Sequence, residues 1–323
     1  MAEVRIEAFI KDIQENLYRG AEFLKHSTSH DQYVDDNIVH VPQAGSGVNV
    51  VINRQQLPAM VTERIDDQIT YQLNEYTTDP IVIRNIETIQ LSYDKRMSVM
   101  KEFINAINQQ LGDNGAYAWA NGLFQTNAST SSRILRTGSA TGNKEAVANF
   151  PSLSNNSATG VRGAMQLSDI IALKGILDRD NVPQEGRHLL IPSDMWIDLV
   201  QNNVTILGSR LYQPDEELVV DGSVAKIYGF NIWQRPVVNV YSDGTPPTLK
   251  AVGAAGATTD CLGCLAWQED VMAKAQGAVK FFTAQDRPEY YGSLYSALVM
   301  FANTCLREDA KGVAALVQYY AAS

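Results

Sequence analysis

"LKGILDRDNVPQEGRHLLIPSDMWIDLV", residues 173–200, sets three structural patterns side by side. Leu167, Ile170, Ile171, Leu173, Ile176 and Leu177 recur at helical steps, and the pattern stops before Pro183. "RHLLIP" then reads as a short buried strand bounded by turn signals. Ser193 stands directly before a second helical pattern, Trp196, Leu199 and Val200. There its hydroxyl would cap free backbone N–H groups, and Asp194 would suit the positive helix end. The same stretch holds His188, Ser193, Asp194 and Asp198, the residue types of a hydrolase triad. It lacks the Gly-x-Ser-x-Gly elbow that exposes a nucleophile on such a turn, and closeness in sequence is not triad geometry. The strand, the turn and the cap account for these residues without catalysis.

Upstream of this stretch, residues 125–163 are rich in Ser, Thr, Asn and Gly and read as a long loop. Before that loop, Met97, Met100, Ile104, Ile107 and Leu111 mark a helix starting at Lys95. Tyr117, Trp119, Leu123 and Phe124 can continue it past "GDNG". Between residues 48 and 93 the period is two: Val48, Val50, Ile52; Ile69, Tyr71, Leu73; Ile81, Ile83; Ile89, Leu91, Tyr93. These strands carry a charged middle, "TERIDDQ". Such a ribbon is marginal alone and should lie on its own domain or on a neighbouring subunit. Val4 to Leu24 is amphipathic at helical spacing through Ile6, Phe9, Ile10, Ile13, Leu17, Ala21 and Leu24. It is either an arm or a helix packed on its own domain. From His26 to Gln43 no period is visible.

Downstream, "GSVAKIYGFNIWQRPVVNVY" reads as two short strands hinged at Gly229. "CLGCLAWQEDVMAKAQ" and "AVKFFTAQD" read as further strands. "YYGSLYSALVMFANTCL" is apolar at most positions, and no internal repeat is found.

The chain has 323 residues, 45% of them hydrophobic and 19% charged, with a net charge of −10. That is ample chain for a folded core, and the acidity speaks against a nucleic-acid reader, which carries a basic stripe. The charged N-terminus has no apolar core of signal-peptide length. The longest apolar stretch, "SALVMFA", is too short to span a bilayer. Three cysteines give no even disulfide framework, so a soluble protein made in a reducing cytoplasm is expected.

No catalytic, cofactor or metal site is expected. Cys261 and Cys264 form a CxxC, but His26, His30, His40, His188 and Cys305 complete no usual zinc spacing, and buried packing is the expectation. No Gly-rich phosphate loop is present. The acidic pairs Asp35–Asp36 and Asp66–Asp67 and the turn "PDEEL" fit no calcium loop. Tyr290–Tyr291 and Tyr319–Tyr320 are expected to pack rather than stack on bases.

Three segments in order resemble major capsid proteins of tailed bacteriophages with the Hong Kong 97 fold. The first is residues 173–200, through Asn181, Val182, Pro183, Gly186, Arg187 and Pro192. The second is "GSVAKIYGFNIWQRPVV", through Gly222, Ile227, Gly229 and Phe230. The third is the ending "SALVMFANTCLREDAKGVAAL", through Arg307 and Ala310, with Ala302 where a glycine is expected. The resemblance implies an α+β fold with an N-terminal arm (1–45), an extended β-hairpin loop (46–85), a peripheral domain with a long spine helix (86–159), an axial domain (160–270) and a return to the peripheral domain (271–323). It implies assembly as hexamers and pentamers into an icosahedral capsid around double-stranded DNA, bound without sequence specificity. It also implies a separate scaffold protein, a portal, possible decoration proteins and no membrane. Charge pairs on the ribbon, drawn from Arg54, Glu63, Arg64, Asp66 and Asp67, would fix register between subunits. The competing expectations are an encapsulin-like nanocompartment shell, a ring-forming adaptor or tail protein, and a cytosolic oligomeric enzyme using His188 or the CxxC.

Overall fold

Residues 167–202 fold as their periods require. The computed structural model describes residues 20–35, 37–43, 52–55, 67–84, 95–125, 130–138, 161–202 and 225–321. In chain order, strands β1 (Thr28–Ser29), β2 (Val34–Asp35), β3 (Ile38–Gln43), β4 (Asp67–Gln72), β5 (Asn74–Thr77) and β6 (Ile81–Arg84) precede the long helix α1 (Lys95–Asn121). Then come α2 (Thr130–Arg133), β7 (Ile134–Arg136), β8 (Val161–Arg162), α3 (Leu167–Arg179), β9 (Arg187–Pro192) and α4 (Ser193–Asn202). The remainder is nearly all strand: β10 (Ala225–Ile227), β11 (Phe230–Arg235), β12 (Asn239–Ser242), β13 (Thr248–Leu249), β14 (Cys261–Gln268), β15 (Met272–Arg287), β16 (Gly292–Cys305), β17 (Val313–Val317) and β18 (Tyr320–Ala321). The class is α+β. No helix among the described residues is long and apolar enough to cross a membrane.

Two sheets organise the molecule. The larger runs β10-β11-β9-β14-β12-β13, with β17 on β14 and β7 on β17. Its centre is buried on both faces, so β14 is buried at every position. Side chains alternate between faces with period two. Leu262, Cys264 and Ala266 enter a core with α3 and α4, whereas Cys261, Leu265 and Trp267 enter a second core with α1. β9 splits likewise, Leu189 and Ile191 to one side and Leu190 to the other. This is why "HLLI" is apolar without alternation. The hinge at Gly229 is a two-residue hairpin: Ile227 pairs with Phe230, and Tyr228 (φ 50°) and Gly229 (φ 88°) both take left-handed backbone, as a primed turn demands.

The second sheet is built on the β15–β16 hairpin, with β1 beside β15 and both β5 and β6 beside β16. α1 lies on one face of it, where Val99 and Phe103 meet Ile83 and Tyr295. The other face, near the hairpin base, is covered by the small β2-β3-β4 sheet through Val39, Leu73, Ala275 and Ala302. The extended loop expected at 46–85 is described at its base, where Gln43 pairs with Asp67, and from Asn74 to Arg84 the chain pairs with β16.

Three local expectations are corrected. Residues 38–43, read as patternless, form β3; the alternation of buried Val39 with exposed His40 is only a few residues long and Pro42 hides it. "ILR", read as loop, is β7, paired parallel to β17. The amphipathic pattern through Leu24 ends as a 3-10 turn, Glu22–Lys25, after non-helical Gly20 and Ala21; its earlier part, 1–19, lies outside the described residues. "GDNG" does not break α1. An added Cβ on Gly112 would lie 2.7 Å from an Arg235 guanidinium nitrogen, and one on Gly115 would lie 2.7 Å from a Leu24 methyl. These glycines lower helix propensity but let neighbours approach the helix.

Candidate functional site

The residues that carry the resemblance in 181–187 form a buried knot. Asn181 (φ 56°) and Gly186 (φ 66°) take left-handed backbone on either side of Pro183. That folds the chain back so that Arg187, only 2% exposed, reaches the turn it has just left. Its Nε donates to the Pro183 carbonyl (2.8 Å), Nη2 to the Val182 carbonyl (2.6 Å) and Nη1 to Asp178 Oδ1 (2.7 Å). A buried guanidinium is tolerable only when its donors are satisfied in this way.

Next along β9, His188 faces the α1 side and is 1% exposed. Its Nε2 meets Glu269 Oε1 at 2.9 Å, and Trp233 Nε1 donates to its Nδ1 at 3.0 Å. His26 Nδ1 meets the same Glu269 oxygen at 2.8 Å, and the two imidazoles stack at 4.4 Å. His188 also stacks on Trp267 at 5.4 Å. The triad types are not brought together, since Ser193, the first residue of α4, accepts from Gln234 Nε2 at 3.2 Å. His26, His188 and Glu269 place three ligand-type atoms within 4.8 Å of one another, a grouping the spacing argument missed. The donor chemistry does not fit a metal. An indole N–H only donates, so His188 Nδ1 must present its lone pair, and the neutral ring then carries its proton on Nε2, the atom a metal would need. The cluster is a carboxylate held by two imidazole N–H groups. Burial pushes the Glu269 carboxyl up, but these two bonds outweigh it, and its pKa lies below the ordinary value. What the cluster does is mechanical: it ties the segment after Leu24 to β9 and to the link between β14 and β15.

The CxxC is resolved by the same period-two logic. Three residues apart on a strand, Cys261 and Cys264 point to opposite faces of the large sheet, so they converge neither on a metal nor on each other. Cys264 sits between the sulfurs of Met165 and Met195, and burial pushes its thiol well up. Asp198 is 2% exposed, with Oδ1 lacking a hydrogen-bond partner; burial and the nearby Asp194 charge push its pKa up to about 7.

Surfaces show the larger departure from expectation. β15 is exposed at nearly every position beyond Ala275, so both faces of its outer half meet solvent, with Val279 60%, Phe281 40% and Phe282 49% exposed. Among the described residues no strand pairs with the outer edge of β15 beyond Gln276. Tyr290 and Tyr291, expected to pack, stand at the hairpin tip 49% and 80% exposed. The signal was present in "AVKFF", which is apolar at both parities; that pattern also fits a strand buried on both faces, and sequence alone does not separate the two. Tyr320 does pack, under the Arg162 guanidinium at 4.7 Å. An open groove of about 340 Å³ lies between the β5–β6 turn and α1, floored by Phe103 and Ile107. Of the ribbon charges, Arg54 is exposed beside a turn and Asp67 opens β4; Glu63, Arg64 and Asp66 lie outside the described residues.

The fold has solved relatives. The capsid structure of cyanophage P-SCSP1u superposes with a TM-score of 0.67 at 16% identity, over 99% of this chain and 94% of that one. The capsid asymmetric unit of cyanophage Pam1 gives 0.64 at 10% identity over 100% and 98%. The capsid of Ralstonia phage GP4 gives 0.64 at 10% identity over 99% and 96%. This chain has a phage capsid fold. No family model matches it, and no curated protein sequence does. The likeness to phage capsid chains read from residues 173–200, from the Gly229 hairpin and from the ending is therefore matched at the level of the fold, nearly end to end. The β15–β16 hairpin shares its sheet with β5 and β6, whereas the Gln43–Asp67 pair at the base of the 46–85 loop belongs to the small β2-β3-β4 sheet packed against it.

Proposed function

We propose that this chain is a structural shell protein that self-assembles, as hexamers and pentamers, into an icosahedral phage capsid enclosing double-stranded DNA. The observation that carries the reading is the end-to-end match to three phage capsid chains. The surface supports it independently. A hairpin with aromatic residues open on both faces and a strand edge that no described strand pairs is a poor design for a solitary soluble chain, because such an edge pairs with other chains. In a shell, the repeated contact of this hairpin with neighbouring copies buries it, and closed symmetry uses up every copy of the patch. The net charge of −10 suits a wall that encloses DNA without tight adhesion.

Within this reading the described interior has a mechanical role. Arg235 of β11 pairs with Asp113 of α1 at 2.9 Å and lies over the Phe23 ring at 5.7 Å. Together with the His26–Glu269–His188 cluster it fixes the large sheet against the long helix, so each tile is stiff where shell curvature must be set. The domain division given above, the Arg54, Glu63, Arg64, Asp66 and Asp67 contacts, and the scaffold, portal and decoration partners belong to the same proposal. The test is Phe282→Glu, which charges the open face of the hairpin away from the core. Sedimentation should show a folded chain with at least a tenfold loss of assembled material. A variant that assembles like the parent would remove the hairpin from the interface and with it the independent support.

A further inference from the structure

The outer edge of β15 falls into two parts. Near its start the edge is taken. β1 lies beside Ala273 and Lys274, the His30 amide donates to the Lys274 carbonyl at 2.8 Å, and Asp31 Oδ1 accepts from the Gln276 amide at 2.7 Å. Gly277 and Ala278 then stand against Met300 alone, a bulge that adds one residue to β15. From Val279 the regular ladder with β16 resumes. Among the described residues no strand lies on its other side up to Asp286, where left-handed backbone (φ 48°) ends the extended run.

Hydrogen bonds fix which backbone groups face outward along this second part. The Ala297 carbonyl accepts from the Thr78 amide at 3.0 Å, and the Ala297 amide donates to Thr78 Oγ1 at 2.9 Å. The polar groups of Ala297 therefore turn toward the β5–β6 side, and along a strand such groups alternate between the two edges. Ser296 and Leu298 thus bond β15 through Phe282 and Lys280. The amides and carbonyls of Val279, Phe281, Thr283 and Gln285 are left to face the outer edge. Gln276, an even-numbered residue, also points outward because the bulge shifts the alternation by one.

This edge is complementary to itself. A two-fold axis sets two copies of it antiparallel, and outward groups meet outward groups only when the axis passes through a residue position and not between two. The register that uses the whole run from Val279 to Gln285 is centred on Phe282. In it Phe281 exchanges hydrogen bonds with Thr283 of the second copy, and Val279 does so with Gln285. The exposed Phe282 meets its own counterpart at the axis, an aromatic cross-strand pair. Lys280 faces Ala284, and the two Lys280 side chains stand four residues, about 14 Å, apart along the strand, so no like charges are opposed.

We propose that the outer edge of β15 pairs antiparallel with the same edge of a second copy, across a two-fold axis at Phe282. The proposal rests on the shell reading for where the contact is used. Contacts around a ring of five or six copies are head-to-tail, whereas this one is isologous, so it joins copies of adjacent rings.

The test is cysteine cross-linking of the full-length chain under mild oxidation, on assembled material and on the unassembled chain. Positions 280, 282 and 284 fall in non-hydrogen-bonded pairs, whose Cα atoms lie about 4.5 Å apart, within disulfide reach. Phe282→Cys should give a 282–282 link between chains. Lys280→Cys and Ala284→Cys chains, mixed before assembly, should form a 280–284 link at least tenfold faster than either variant links to itself. Peptide mass spectrometry separates these links from any made by Cys261, Cys264 or Cys305. No 282–282 link in either fraction, equal rates for the three single variants, or a 282 link mainly to another segment of the second copy would overturn the proposal. Closed particles without the link would overturn it and leave the shell reading standing; the link in a chain that forms no particles would support it and sink the shell reading. Thr283→Pro removes an outward N–H that β16 does not use, so the hairpin is kept while the edge is blocked. In the Phe282→Cys chain it should cut linking at least tenfold while hydrogen-exchange protection of β16 stays within twofold. Unchanged linking would overturn the proposal.

Discussion

Replacing Arg187 by Met removes the centre of the Asn181–Arg187 knot while keeping a side chain of similar length. Three bonds go, to Asp178 and to the Val182 and Pro183 carbonyls. A hydrogen bond to a charged group contributes about 1.5–3 kcal/mol net, and breaking a buried pair costs about 3–5 kcal/mol. Asp178 is 40% exposed, so water recovers much of its interaction once the guanidinium is gone. The two carbonyls carry the remainder, which gives a loss of about 3 kcal/mol. For 323 residues the unfolding entropy at the midpoint is about 0.7 kcal/mol/K, so the midpoint of the unassembled chain should fall by about 4 °C. Arg187→Lys should recover little, about 1 °C, because an ammonium is a point donor and cannot span the three acceptors. Calorimetry on the three chains decides it. An Arg187→Met midpoint within 1 °C of the parent would refute the reasoning that this residue holds the turn.

Other outcomes follow from the same geometry. Asp198 has a folded pKa raised to about 7 against 3.8 unfolded, so the folded chain holds the extra proton and stability falls as pH rises from about 4 to about 7. Asp198→Asn should therefore be more stable than the parent at pH 8, with the gap closing toward pH 4; denaturant midpoints across that range measure it. Glu269 has the opposite sign. Its depressed pKa contributes stability above 4.5 that is lost as pH falls through the folded value, so Glu269→Gln should weaken the chain at pH 7 and flatten the acid limb. Gly112→Ala should destabilise despite the roughly 1 kcal/mol gain in helix propensity, because the new methyl meets Arg235. Thiol titration of the air-exposed, unfolded chain should return three free thiols, since Cys261 and Cys264 face opposite sides of β14.

Much of the fold was legible because its elements are long or punctuated. α1 shows helical period over many turns, and the run from Leu167 to Val200 is divided by Pro183, Pro192 and a capping-type serine. The Gly229 hairpin was visible because a glycine between two apolar runs marks a turn, although Tyr228 beside it takes left-handed backbone with no such signal. β3 and β7 were not, since a few residues are too short to show a period and their strand character comes from partners far away in sequence, β4 and β17. The same limit hid the partners of His188. Glu269 lies 81 residues away and Trp233 lies 45 away, and nothing local marks either as a neighbour. The exposure of the hairpin, with Tyr290 and Tyr291 open where packing is expected, is not legible, for a different reason. "AVKFF" specifies a strand, but whether that strand is buried in its own chain or in another is a property of the assembly.

Electron microscopy of the chain expressed alone and together with its neighbouring genes tests the shell reading most directly. The account predicts closed icosahedral particles, or free hexamers and pentamers, in at least one preparation. Only monomers or dimers in both would contradict it.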